Sequence, residues 1–141
     1  MKTQIATPFF TAADIIFTYS REQALEDGLL VDVSEETARK HGFTVPVAIT
    51  RAVWADCVEW TEETNSRKNT IQDQDSRLFY VLLMAHLACR GRGDSPRRLF
   101  DLYRVPVEGR GVRHRRVTLA IHIGPGDSGE PVVTIMLPNE D

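Results

Sequence analysis

From Ser76 to Gly91 the chain reads SRLFYVLLMAHLACRG, apolar on nearly every side. This run predicts a helix of about four turns at the centre of the core, ended by Gly91 and Gly93. In TRAVWADCVEWTEET, from Thr50, Val53, Cys57 and Trp60 fall on one stripe with Trp54 and Val58 beside it, which predicts an amphipathic helix of similar length. Between these two runs NSRKNTIQDQD is polar except for Ile71 and reads as a flexible loop at about 64–75. Two shorter helices carry their own caps. Ser20 opens SREQALEDG with Gln23 three residues on and Gly28 as the stop, and Ser34 opens SEETARKHG with Gly42 after it.

The remaining patterns are extended. IIFTYS (Ile15–Ser20) and LLVDV (Leu29–Val33) read as short strands, and Pro46 in FTVPVAIT argues for an edge or a loop. Toward the C-terminus LFDLYRVPV, VRHRRVTLAIHI and PVVTIMLP are separated by the turn-forming EGRG and GPGDSGE, which predicts an antiparallel meander. Helices early and strands late imply an α+β fold, with helices packed on one face of a small antiparallel sheet and a C-terminal three-stranded meander. At 141 residues, 42% hydrophobic and 26% charged, the chain reads as a single globular domain, 1–141. No apolar run reaches the roughly 20 residues of a bilayer span, and MKTQIATPFF lacks a signal-peptide core, so a cytoplasmic protein is expected.

Two short strings suggest chemistry that their context does not support. GDSGEP (Gly126–Pro131) resembles the segment around the nucleophilic serine of trypsin-like proteases. That double barrel needs a longer chain and an imidazole poised on the serine, so Ser128 is read as part of a turn. RGDSP (Arg92–Pro96) matches the integrin-binding tripeptide but has the composition of a helix-ending turn. Cys57 and Cys89 lie in helix-like apolar settings and read as reduced thiols. His114 and His122, eight apart on one strand, would stand about 26 Å apart and cannot share an ion. His86 reads as a core residue. No catalytic, cofactor or metal constellation emerges, and a non-enzymatic protein is expected.

Charge is the stronger signal. The net charge is only −3, yet residues 1–64 hold 5 basic and 11 acidic side chains, a balance of −6, and residues 65–141 hold 12 and 9, a balance of +3. Glu22, Glu26, Asp27, Asp32, Glu35 and Glu36 form an acidic stretch that could dock on a basic groove. Arg97, Arg98, Arg104, Arg110, Arg113, Arg115 and Arg116 form a basic ribbon suited to a nucleic-acid backbone or an acidic protein surface. Phe100 and Tyr103 are the only aromatics in it for base stacking.

The phrases IIFTYSREQALEDGLLVDVS, GFTVPVAITRAVWADCV and GPGDSGEPVVTIMLPNED resemble a family of small, functionally uncharacterised proteins encoded on bacterial plasmids, integrative elements and phages. The resemblance runs from about Ile15 to Asp141, and it supplies no catalytic residue. It implies a counter-defence factor, an anti-CRISPR or anti-restriction protein that binds a host defence complex without catalysis. The alternative is a nucleic-acid-binding accessory protein of a mobile element that works through the arginine ribbon.

Overall fold

The computed structural model describes residues 19–91 and 95–140. Ile15–Thr18 of the strand expected at IIFTYS, and Arg92–Asp94 of RGDSP with the expected stop at Gly93, lie outside them.

Helix α1 (Arg21–Glu26) starts where Ser20 Oγ accepts from the Gln23 N–H at 2.9 Å. After strand β1 (Leu30–Val33), helix α2 (Glu35–Lys40) begins with the Ser34 hydroxyl accepting from the Thr37 N–H. Gly42 stops α2 in the left-handed region at φ +89°, where a Cβ would also meet the His86 ring at 2.6 Å. Both short helices stand as their sequences imply.

Strand β2 (Val47–Thr50) is buried at every position and lies inside the sheet, contrary to the edge or loop expected from Pro46. Proline is tolerated because it precedes the first paired residue, and its carbonyl still accepts from the Val133 N–H at 2.8 Å. The Thr50 hydroxyl caps helix α3 (Arg51–Val53), which widens at once into a π-helical turn (Trp54–Val58) closed by the Glu59 N–H on the Trp54 carbonyl.

One long amphipathic helix was expected here, but it breaks at Glu59–Thr61 and a separate helix α4 (Glu62–Lys68) follows. The polar segment at 64–75 is therefore partly helical and organised around Asn65. Its carboxamide oxygen accepts from Trp60 Nε1 at 2.7 Å, Thr70 Oγ1 at 3.0 Å and the Gln72 N–H at 3.0 Å, and its Nδ2 donates to the Gln72 carbonyl. The polarity of Asn65, Thr70 and Gln72 serves internal bonds, while Ser66, Asn69 and Asp75 face solvent. Helix α5 (Gln74–Cys89) is capped by Asp73.

Strands β3 (Arg97–Arg104), β4 (Arg115–Pro125) and β5 (Pro131–Met136) form the antiparallel meander. The sheet order is β1-β2-β5-β4-β3, with β2 and β5 parallel, so the α+β fold is built on a mixed five-stranded sheet. One face carries Val33, Val47, Ile49, Val133, Ile135, Ile121, Leu119, Phe100 and Leu102, and this row packs with Val53, Cys57, Val58, Val81, Leu82 and Ala85 into one core. Helix α5 covers that face with one side only. Leu82 is 0% exposed, while Phe79 is 55% and Leu83 39% exposed, so the helix expected to be apolar-buried all round keeps an open stripe. At the sheet edges stand β1 and β3, far apart across three intervening strands.

Candidate functional site

Helix α1, strand β1 and helix α2 are consecutive, and β1 is an edge, so Glu22, Glu26, Asp27, Asp32, Glu35 and Glu36 all reach solvent at one border of the sheet. Glu35 pairs with Arg39 at 2.8 Å and Glu36 approaches Lys40 at 3.9 Å, both fully solvated and weak. Asp27 accepts from the Tyr19 hydroxyl, which pushes the Tyr19 pKa upward, and from Gln23 Nε2.

The fold adds two carboxylates that sequence proximity did not reveal. Asp127, in the β4–β5 turn, accepts from the backbone N–H of Arg21 at 2.8 Å and of Glu22 at 3.0 Å, which clamps α1 to the hairpin. Those bonds to the charged form hold its carboxyl below the ordinary range. Arg21 reaches across to Thr134 Oγ1 and the Val133 carbonyl, where burial lowers its pKa while Asp32, Asp127 and Glu130 raise it. Arg21 is thus the cation around which Asp32, Asp127 and Glu130 gather. The only local signal was an aspartate in a turn.

An acid response follows from Asp127. Its folded pKa is below the unfolded value of about 3.9, so its contribution is complete above that pH and is lost as pH falls through the lowered folded value. Acidification below about pH 4 should lower the protection of the Arg21 and Glu22 amides, measured as hydrogen exchange relative to the intrinsic rate at each pH, and Asp127→Asn should remove that acid step. An unchanged pH profile in the variant would contradict the clamp.

GDSGEP is a tight turn. The Gly129 N–H bonds the Gly126 carbonyl at 3.1 Å, and the Ser128 N–H bonds Glu130 Oε1 at 2.9 Å. Ser128 is exposed and takes part through its backbone.

The arginine ribbon divides in two. Arg97 donates to the Pro138 and Glu140 carbonyls, Arg98 donates to the carbonyls of Ala88, Cys89 and Gly91 at the end of α5, and Arg104 pairs bidentately with Asp56 at 2.9 and 3.0 Å. These three hold the fold together. Arg110, Arg113, Arg115 and Arg116 are exposed on the β3–β4 hairpin, where Arg116 lies 4.0 Å from Asp101. Helix α4 fixes the hairpin loop, with Arg67 donating to the Val107 and Gly109 carbonyls and Lys68 to those of Glu108 and Gly111. Arg110 and Arg113 therefore project from an anchored loop and Arg115 and Arg116 from the start of β4 next to it, on the side of the sheet away from the acidic border.

A cleft of about 520 Å³ opens where α5, the π-turn and the end of β3 meet, bordered by Ile71, Ser76, Tyr80, Tyr103 and His114. Arg77 forms its floor. The guanidinium donates to the carbonyls of Val58, Asp56 and Val105 and to Gln72 Oε1, all within 3.3 Å, and lies 4.5 Å over the Trp60 ring. Burial lowers its pKa. Cys57 sits beneath with its thiol pushed up to about 12, chiefly by burial and then by Asp56, against the opposing pull of Arg104 and Arg77. A thiol so placed is protonated at neutral pH and is no thiolate nucleophile. Among the described residues no three His, Cys, Asp or Glu side chains gather to hold a metal ion, and no helix is long and apolar enough to cross a membrane.

No curated protein and no solved structure matches the chain. Residues 6–141 match the Family of unknown function (DUF6573), and the chain belongs to that family.

Proposed function

We propose that this chain is a non-catalytic binding protein that inhibits a host defence complex, of CRISPR or restriction type, by docking its acidic border on a basic groove. One observation carries the reading: six exposed carboxylates of α1, β1 and α2, joined by Asp127 and Glu130, stand at one sheet edge, while the exposed arginines stand at the other. After the pairing with Arg21, Arg39 and Lys40 a net negative charge remains at the first edge, and a net positive charge remains at the hairpin, each available to a partner. The choice of target class rests on the sequence resemblance, which implies carriage on plasmids, integrative elements and phages.

The test is phage plating on cells with an active defence system. Expressing the chain should restore plating, and a combined Glu26→Lys, Glu35→Lys and Glu36→Lys variant, which spares Asp32 beside Arg21, should lose that effect by about tenfold or more while still unfolding cooperatively well above the assay temperature. Ser128→Ala should plate like the parent. Full inhibition by the charge-reversed protein would remove the acidic border from the account, and loss of inhibition in a stable Ser128→Ala protein would point to catalysis.

A second reading rests on Arg110, Arg113 and Arg115, for which no intrachain carboxylate partner occurs among the described residues. It makes the hairpin a contact for a nucleic-acid backbone. Binding to a labelled duplex should then fall steeply with salt, and a flat response would exclude it.

A further inference from the structure

Among the described residues strand β3 is an edge, and its hydrogen-bonding phase can be read from the register. The Ile123 N–H bonds the Pro96 carbonyl at 2.7 Å, so Arg98, Phe100, Leu102 and Arg104 bond across to β4. The backbone groups of Leu99, Asp101 and Tyr103 then point off the sheet. The Tyr103 N–H meets the Tyr80 hydroxyl at 3.5 Å, whereas Leu99 and Asp101 make no outward backbone bond among the described residues. On the same side Leu99 is 61% and Tyr103 53% exposed.

We infer that the open edge of β3, continued by the cleft beside Tyr80 and Tyr103, binds an extended acidic peptide segment of a partner protein by strand addition. The amides of Leu99 and Asp101 supply a donor and acceptor row that only another extended backbone matches, which a phosphodiester chain lacks. Alternate side chains of an added strand enter the cleft between α5 and the end of β3.

Charge selects the sign of the partner. Arg115 and Arg116 stand in register with Arg104 and Tyr103, and Arg113 and His114 lie just beyond; with Arg104 committed to Asp56 and Arg116 4.0 Å from Asp101, it is Arg113 and Arg115 that give an added strand cations to run beside at this end. The same charges disfavour a second copy of this chain. Antiparallel self-pairing centred on Asp101 would set Asp101 against its own copy and Arg98 of one strand against Arg104 of the other. The inference concerns the edge opposite the acidic border and does not depend on the proposed inhibition.

The experiment is a random-peptide display selection on the immobilised full chain, followed by fluorescence anisotropy on the enriched peptides. The expected winners are acidic sequences with alternating apolar residues. Leu99→Pro, which removes an outward N–H without touching the β4 bonds, should weaken them by about tenfold or more, whereas Leu99→Ala should weaken them far less. Paired Arg115→Glu and Arg116→Glu changes should flatten the salt dependence.

Failure to enrich any peptide, winners that are basic, or affinities unmoved by Leu99→Pro would overturn the inference. So would a parent dimer that Leu99→Pro turns into a monomer, because the edge would then belong to a second copy. Should Leu99→Pro not fold, amide exchange in the parent decides: saturating peptide should slow exchange at Leu99 and Asp101, and unchanged exchange there overturns the proposal.

Discussion

Replacing Arg77 with methionine should lower the unfolding free energy by about 3–5 kcal/mol, a large fraction of the roughly 5–15 kcal/mol that holds a domain folded. Methionine keeps much of the aliphatic volume but leaves the carbonyls of Asp56, Val58 and Val105 without a donor in a buried place. It also removes the cation from over Trp60. Those carbonyls belong to the π-turn and the exit of β3, so one guanidinium ties both to α5, beside the Arg104–Asp56 pair that joins them to each other. Lysine should not rescue, because a single ammonium cannot span acceptors arranged around a planar fork. Urea denaturation reads the result. A loss below about 1 kcal/mol would show that water takes over the carbonyls and that Arg77 is not the strut described.

The second large effect separates neighbours in sequence. Leu82→Ala should cost about 2–5 kcal/mol, and Leu83→Ala on the next residue only about 1 kcal/mol or less. Leu82 is fully enclosed between α5 and the sheet and leaves a cavity when truncated, whereas Leu83 belongs to the open stripe with Phe79 and Leu87. Equal costs would mean that the outer side of α5 is covered in solution. Thermal or urea unfolding of the two single variants suffices.

What was legible in the sequence was local. The caps at Ser20 and Ser34 act within three residues, so α1 and α2 follow from their own letters. The meander follows from alternation between two glycine-rich turns. Legibility stopped where distant residues decide. Pro46 looked like an obstacle to a central strand because its position one residue outside the β2–β5 pairing depends on β5, more than eighty residues later. The break after Val58 was hidden because Trp60 continues the helical stripe, although its indole is turned toward Asn65. Helix α5 showed an apolar composition but not which side would stay open.

The candidate site divides in the same way. The acidic letters between Glu22 and Glu36 do form one border, because three consecutive elements end at one edge strand. Asp127 and Glu130 join them only through the clamp on α1. In the ribbon, arginine count could not distinguish the residues that serve carbonyls and Asp56 from the four on the hairpin, since that depends on where α5, the C-terminal segment and the π-turn come to rest.

Affinity capture of the tagged chain from a host-cell lysate, with and without nuclease and beside the charge-reversed variant, tests the central claim most directly. The account predicts near-stoichiometric subunits of a defence complex that survive nuclease and disappear when the acidic border is reversed. Capture of nucleic acid alone, abolished by nuclease and indifferent to the reversal, would contradict it.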